Sequence, residues 1–190
     1  NIGTMVLNND DGQLQNDNGV IEKYCYDDNP GNCETYGGLY EWREAMQYSD
    51  TEGIQGICPY GWHLPSDDEW SLLKEFLGGE DLAGGKMKSV GTVEEGTGLW
   101  YAPNTAATNE SGFTALPSGY RDFSFGGYFA FLGESCDFWT STQSNYNLAF
   151  YHTLYHNSGA IDRETLSKFA GFGIRCVQTC TQQPTPSDAG

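Results

Sequence analysis

The sequence predicts an α+β domain with two helices beside short twisted antiparallel strands, with long loops and disulfide cross-links. Periodic apolar positions indicate the helices, and short aromatic runs between turn-forming residues indicate the strands. Six cysteines occur without a Cys-X-X-Cys pair, which favours disulfides. A chain of 190 residues is long enough to bury a core within one domain.

Two segments have the apolar spacing of helices. The first covers residues 38–48. Its apolar stripe consists of Leu39, Trp42, Ala45 and Met46. In the second, Ser66 and Glu69 have the spacing of a capping box, and the glycine pair at 78–79 ends the helix. The buried face of this helix is predicted to comprise Trp70, Leu73, Phe76 and Leu77.

Short aromatic and β-branched runs predict the strands. They lie at residues 19–24, 111–117, 138–142, 149–155 and 171–177. A turn at 156–160 is expected to join residues 148–155 and 160–164 into a hairpin. We expect residues 1–178 to form one domain and the Thr- and Pro-rich residues 179–190 to form a linker or tail.

The charge of the chain excludes one class of partner. Its formal net charge is −17, from 26 acidic and 9 basic residues, whereas a nucleic-acid-binding protein needs a basic surface. No run of residues approaches the roughly 20 apolar positions of a membrane span. We therefore predict no nucleic-acid partner and no insertion into a membrane.

The cysteines indicate an oxidising compartment. Their even number, without histidines close to the Cys176 and Cys180 pair, favours disulfides over a zinc site. Cys25 and Cys33 flank a cluster of turn residues, so a short disulfide loop is the simplest interpretation there. An extracellular or cell-surface location follows from this interpretation.

Five blocks of sequence, in order, carry a family resemblance. They are Tyr36–Trp42, Gly53–Leu73, Ser111–Arg121, Phe138–Thr142 and Gly171–Val177. Together they closely resemble the Fibrobacter succinogenes major paralogous domain family. This resemblance implies a C-type-lectin-like fold, also similar to that of formylglycine-generating enzymes, in a secreted or surface protein that is often multidomain. The strand with which the domains of this family usually begin is absent from this sequence. We therefore expect the sequence to begin inside the domain.

The resemblance also implies a disulfide pattern. Cys58 precedes the second helix and Cys176 lies in the last strand, which are the positions of the long disulfide of C-type-lectin-like domains. Cys136 and Cys180 are left as the third pair. A free Cys136 is the alternative.

Aromatic residues in loops are the candidate ligand contacts. The Glu-Pro-Asn, Gln-Pro-Asp and Trp-Asn-Asp motifs of calcium-dependent lectins do not occur in the sequence, whereas exposed rings offer contact area at low entropic cost. The candidates are Tyr101, Tyr120, Arg121, Phe123, Phe125, Tyr128, Tyr146 and Tyr151. The competing interpretation assigns many of these rings to the core.

Metal binding and catalysis are weaker candidates. Asp10, Asp11 and Asp17 would be the ligands of a structural calcium ion, although solvated turns explain them equally simply. His152 and His156 lie about 13 Å apart along a predicted strand, too far for one zinc ion. The active-site cysteine pair of formylglycine-generating enzymes has no match among cysteines predicted to form disulfides.

The sequence thus favours a non-catalytic extracellular binding or adhesion module, with a glycan or a protein as its ligand. The alternative is a structural subunit of an extracellular filament, in which copies of the chain join by strand or edge contacts. An enzyme similar to formylglycine-generating enzymes is the third candidate.

Overall fold

A computed structural model describes residues 2–7, 14–124 and 127–180, which form a mixed α+β structure. In these residues the helices are α1 (Pro30–Tyr36), α2 (Trp42–Ala45), α3 (Asp67–Phe76) and α4 (Glu80–Met87). The first strands are β1 (Thr4–Met5), β2 (Glu22–Lys23), β3 (Tyr40–Glu41) and β4 (Trp62–His63). The later strands are β5 (Ser118–Asp122), β6 (Tyr128–Leu132), β7 (Ser135–Gln143), β8 (Leu148–Tyr155), β9 (Asp162–Ser167), β10 (Gly171–Phe172) and β11 (Val177–Gln178).

One seven-stranded sheet organises the fold. Its order is β3-β10-β5-β7-β8-β9, and β6 pairs with β5 beside this path. Neighbours are antiparallel except β5 and β7, which pair in parallel through Gly119 and Cys136. Two small sheets, β1-β2 and β11-β4, complete the pairing among the described residues.

Strand alternation in β7 and β8 divides the molecule into two cores. Cys136 and Phe138 face one side of the sheet, where Trp70 of α3 and Met87 of α4 complete one buried cluster. Residues one position along β7 face the other side, where Trp139 belongs to the second cluster. Because successive side chains of a strand point to opposite faces, β7 contributes to both cores and is buried almost throughout.

The second predicted helix is confirmed and the first is shorter than predicted. The side chain of Ser66 accepts from the backbone of Glu69 and Glu69 bonds back, so the capping box of α3 is formed. In the first segment, residues 40–41 pair with β10 as a strand, and α2 is only four residues long. Gln47 and Tyr48 have φ of 49° and 58°, which is incompatible with a continuing helix.

Two helices were not predicted from the sequence. The segment of α1 was predicted as a turn because it contains Pro30 and Gly31. In the structure the side chain of Asn29 accepts a hydrogen bond from the backbone of Gly31, and a helix begins there. The segment of α4 contains two glycines, Gly84 and Gly85, which weaken helix propensity. A Cβ atom on Gly84 would lie 2.0 Å from the carbonyl oxygen of Ala160, so close backbone packing requires the glycine.

The strand predictions hold in the centre of the sheet. The predicted strands at 138–142 and 149–155 lie within β7 and β8, and the hairpin from β8 to β9 is present, with Thr153 opposite Asp162. The predicted strand at 111–117 is wrong, since only Ala115 forms an isolated bridge there and the strand begins at Ser118. The run at 171–177 is two short strands in different sheets, because the chain leaves β10 before it reaches β11. The segment at 19–24 contains β2 and an isolated bridge from Tyr24 to Leu39.

Two of the three expected disulfides are present. Cys25 pairs with Cys33, and Cys58 pairs with Cys176. The expected pairing of Cys136 with Cys180 is wrong, because Cys136 points from β7 into the core beneath α3 while Cys180 is exposed beyond β11. Cys136 is therefore a free, fully buried thiol. No helix among the described residues is long and apolar enough to cross a bilayer.

Candidate functional site

A cavity of about 180 Å³ opens where β5 and β6 meet the face of β7 and β8 that carries Trp139. Nine residues line it, and more than half of them are aromatic. We call this cavity the aromatic cleft. Its rings are Tyr120, Phe131, Tyr151, Tyr155 and Phe172, and its other lining residues are Asp122, Asp137, Ser135 and Leu166.

Strand register explains why β7 and β8 supply one side of the cleft. Ser135 lies opposite Tyr155, and Asp137 lies opposite Thr153, so their side chains share one sheet face. Tyr151 is two residues before Thr153 and therefore emerges on this face as well. The polar positions of the Ser-Cys-Asp-Phe segment thus face the cleft, and its apolar positions face the core beneath α3.

Phe131 enters the cleft through an irregular backbone. Ala130 pairs with Tyr120, so a regular strand would direct the next side chain to the opposite face. Phe131 instead has a left-handed φ of 63°, and its ring stacks on that of Tyr120 at 5.7 Å between centroids. A left-handed conformation costs a residue with a Cβ atom about 1–2 kcal/mol. Such strain concentrates at sites where it serves binding or catalysis.

The other rings form a continuous aromatic wall. Tyr151 contacts Phe172 at 4.6 Å between centroids, and Phe172 meets the edge of Tyr120 at 5.8 Å. Phe172 is buried, whereas Phe131 is 47% exposed and Tyr155 is 38% exposed. The wall therefore runs from the core to the surface, and its outer rings are accessible to a ligand.

Asp137 is the charged group at the buried end of the cleft. Only 4% of its surface is exposed, and its Oδ2 accepts a hydrogen bond of 3.1 Å from the hydroxyl of Ser135. Burial raises the pKa of Asp137 to about 7, although the hydroxyls of Thr153 and Ser135 act in the opposite direction. Near neutral pH this carboxyl group therefore lies close to the midpoint of its titration.

Burial is the main influence on the tyrosine hydroxyls of the cleft. Burial, followed by the nearby Tyr128 and the carboxylates of Asp122 and Asp137, raises the pKa of Tyr120 to about 12. Burial and then Asp137 likewise raise the pKa of Tyr151. Each of these hydroxyls is therefore neutral at physiological pH and able to donate a hydrogen bond.

The structure brings together two of the predicted ligand contacts, Tyr120 and Tyr151, in this cleft. Arg121 is not a ligand contact, because it is fully buried on the other face of β5. Its guanidinium carbon lies 4.2 Å from the ring centroid of Tyr24, and a nitrogen lies 4.0 Å from the carboxylate of Glu41. Arg121 therefore has a structural role.

The remaining predicted rings lie elsewhere. Tyr128 and Phe123 are exposed on the β5–β6 hairpin, next to the cleft but not in its wall. Tyr101 packs against Gly133, and Tyr146 is exposed on the β7–β8 turn beneath the guanidinium of Arg43. Phe125 lies outside the described residues.

Several residues that line the cleft were not predicted from the sequence. Asp137, Ser135, Tyr155 and Phe131 were not among the predicted contacts. Ser135 and Asp137 are two positions apart, and Tyr151 and Tyr155 are four positions apart. Even spacings of this kind signal a shared strand face. Phe131 carries no such signal, since its direction depends on its left-handed backbone.

The candidates for metal binding and catalysis do not converge on the cleft. Among the described residues no group of three or more His, Cys, Asp or Glu could hold a metal ion. Asp17 is exposed, and Asp10 and Asp11 lie outside the described residues. The thiol of Cys136 is buried, and burial raises its pKa, which makes it a poor nucleophile.

The three histidines make local contacts away from the cleft. His63 contacts the carboxylate of Glu69 at 3.0 Å and forms part of the entry to α3. His152 is buried, and burial lowers its pKa to about 4 although Asp67 lies 3.3 Å away. His156 contacts a backbone carbonyl at 2.9 Å.

A second cavity, of about 350 Å³, lies between α1 and the segment from Gly173 to Cys176. It is larger, but Arg175, its one inward cation in the described lining, already donates to the Thr114 carbonyl at 3.0 Å and stacks on Phe113. Both disulfides contribute a cysteine to its wall. We therefore favour the smaller aromatic cleft as the candidate site, since partly exposed rings and a buried carboxyl group converge there.

Comparison with known families decides the relationship of the chain. The Fibrobacter succinogenes major domain matches residues 3–178. The chain belongs to this family. Membership confirms the resemblance carried by the five sequence blocks, and the matched range also includes β1. No curated protein and no solved structure is significantly similar to this member of the Fibrobacter succinogenes major domain family.

Proposed function

We propose that this protein is a non-catalytic, extracellular binding module of C-type-lectin-like organisation, and that the aromatic cleft is its ligand site. The observation that carries the proposal is the wall of stacked rings that ends at a buried carboxyl group. Ligand sites are typically concave, mostly apolar and equipped with a few oriented polar groups. A volume of about 180 Å³ suits the end of a ligand rather than a whole oligosaccharide or peptide.

The strained backbone of Phe131 supports the proposal. A left-handed phenylalanine destabilises the fold, and a glycine at this position would relieve the strain. The conformation has one clear structural result, which is to place an exposed ring over Tyr120 at the opening of the cleft.

The disulfides support an extracellular location, whereas the charge of the chain bears on its solubility and on its attraction for cations. The disulfides Cys25–Cys33 and Cys58–Cys176 belong to oxidising compartments in most organisms. The net charge of −17 favours a protein that remains dispersed in solution and attracts cations.

Saturation-transfer NMR with a panel of monosaccharides, short peptides and organic ammonium salts tests the binding proposal. At least one compound should bind the wild-type protein and should bind Tyr155→Leu or Tyr151→Leu about tenfold more weakly, because a ring of the wall is lost. Tyr60→Leu is the matched control, since Tyr60 is 95% exposed outside the cleft. If every compound that binds retains its affinity in both cleft variants, the cleft is not the ligand site.

One observation favours assembly into a filament as a second candidate function. Strand β6 has the sequence Tyr-Phe-Ala-Phe-Leu and, in the described part of the chain, pairs only with β5. An apolar edge strand is a template for pairing with another chain. Electron microscopy with light scattering should then show regular polymers that Tyr128→Lys abolishes, because a charge on the edge opposes pairing. Monomers at high protein concentration would contradict this candidate.

A further inference from the structure

The lining of the aromatic cleft combines rings and carboxylates without a cation. Asp122 and Asp137 both line the cleft, and none of the described lining residues is Lys, Arg or His. The faces of aromatic rings carry partial negative charge and attract cations. The carboxylates and the ring faces of the lining therefore both favour a cation.

The neighbouring strand reinforces this negative potential. Glu164 lies opposite Tyr151 and Asp162 lies opposite Thr153, so both acidic positions of β9 share the sheet face of the cleft. Arg163 lies between them and points to the other face, where it forms an ion pair of 2.8 Å with Asp67. Strand alternation thus directs the acids of β9 toward the cleft side and its base away from it.

From these contacts we propose that the aromatic cleft binds a small organic cation, specifically a methylated ammonium group of the kind that choline carries. This inference rests on the proposed function and names its ligand class. The rings of Tyr120, Phe131, Tyr151 and Tyr155 contact the methyl groups, and the carboxylate of Asp137 supplies the counter-charge at the buried end.

The existing hydrogen bonds favour a methylated ammonium over a primary amine. A carboxylate oxygen of Asp137 accepts from Ser135, and one of Asp122 accepts from the backbone and the hydroxyl of Ser124. A primary ammonium brings three donors that need acceptors, whereas a methylated group needs ring faces and charge. The compact methylated group also fits a cavity of about 180 Å³ better than a pyranose ring does.

A bound cation would also stabilise a group whose burial is unfavourable in the free protein. Asp137 is buried among rings with no basic side chain in the described lining, which disfavours its charged form. An ammonium group at this position replaces the lost hydration of the carboxylate. The buried acid then belongs to a site that is electrostatically complete only when the ligand is bound.

The decisive comparison is between two probes of the same shape. Choline is titrated against its neutral isostere, in which a tert-butyl group replaces the trimethylammonium group, by isothermal calorimetry or NMR. Choline should bind at least about tenfold more tightly, since a desolvated cation–π contact of roughly 2 kcal/mol corresponds to more than a tenfold change in affinity. Phosphocholine should bind more weakly than choline because its phosphate approaches the carboxylates.

Variants locate the binding. Asp137→Asn should reduce the affinity for choline by about tenfold or more and leave the weak binding of the neutral isostere unchanged. Tyr155→Leu should reduce choline affinity by a similar factor, and Tyr60→Leu should not. Thermal unfolding of each variant confirms that it folds, and Tyr155→Phe should rescue binding because it restores a ring.

The outcomes separate this inference from the proposed function. If the neutral isostere binds as tightly as choline, and both depend on Tyr155, the cation proposal is overturned and the cleft remains a ligand site. The same conclusion follows if choline fails to bind while a neutral sugar or peptide binds with that dependence. If no probe depends on Tyr155 or Tyr151, both proposals fail.

Discussion

Replacement of Asp137 by asparagine should change how the stability of this protein depends on pH. The folded pKa of Asp137 is raised by burial to about 7, from 3.8. Between these values the folded state retains a proton that the unfolded state has lost, so stability falls as pH rises. A difference of about 3 pKa units corresponds to a destabilisation of about 4 kcal/mol. This destabilisation is present in full above pH 7 and is absent below about pH 4.

Asparagine resembles the protonated form of the acid and still accepts from Ser135. Asp137→Asn should therefore match the wild type near pH 4 and exceed its stability by up to about 4 kcal/mol near pH 8. Urea unfolding across this range gives the difference between the two curves. Burial also raises the pKa of Glu41 to about 7, but that contribution is common to both proteins and cancels.

The control is Asp17→Asn, which removes an exposed carboxylate and should change the free energy of unfolding by less than about 0.5 kcal/mol. The reasoning is refuted if the difference between Asp137→Asn and the wild type is constant from about pH 4 to pH 8, because Asp137 then titrates alike in both states. A difference that shrinks or changes sign as pH rises, so that the variant becomes less stable relative to the wild type, would contradict the reasoning more strongly.

Three further predictions concern the backbone, a buried base and the long disulfide. Phe131→Gly should be about 1 kcal/mol more stable than Phe131→Ala in chemical unfolding, because only glycine relieves the left-handed φ of 63°; equal stability would show that the backbone relaxes. Lys88→Met should cost about 3 kcal/mol or more, since three backbone carbonyls lose the ammonium that donates to them at 2.7–2.9 Å. The surface variant Lys86→Met, which loses only an exposed ion pair, should cost less than about 1 kcal/mol. Replacement of Cys58 and Cys176 by serine should lower stability by about 5 kcal/mol, because the disulfide closes a loop of 118 residues; an unchanged unfolding midpoint would contradict the chain-entropy argument.

Much of the fold was predictable where local rules and burial agree. The α3 helix follows from its capping box, and the β8–β9 hairpin follows from an aromatic strand that runs into a turn. The disulfide of Cys25 and Cys33 follows from proximity in sequence. In each case the interaction that decides the structure joins residues close along the chain.

The predictions that failed concern residues whose deciding contacts are distant along the chain. No helix was predicted for the segment of α4, since Gly84 and Gly85 weaken helix propensity. The backbone carbonyls of Ala160 and Ala106 pack so closely against these two positions that only glycine fits. Cys136 reads as a disulfide partner, but its place in β7 buries it under α3. These positions depend on neighbours from distant parts of the chain.

The candidate site shows the same division. The rings of Tyr120 and Tyr151 were predicted contacts, because aromatic residues in polar segments are recognisable one at a time. Arg121, adjacent in sequence to Tyr120, was predicted wrongly since strand alternation buries it on the other face. Asp137 was missed because its surroundings come from β5, β7 and β8 together.

The sequence alone determined the family, the α+β class, the strong negative charge and the chemistry of the disulfides. Each of these depends on residue identity or on short-range patterns, which the chain carries whatever its long-range contacts. The tertiary structure alone decided which side chains form the aromatic cleft, and it set the pKa of Asp137. A burial-induced shift depends on the atoms that exclude water from a group, and here those atoms come from residues up to 52 positions apart, from Tyr120 to Phe172.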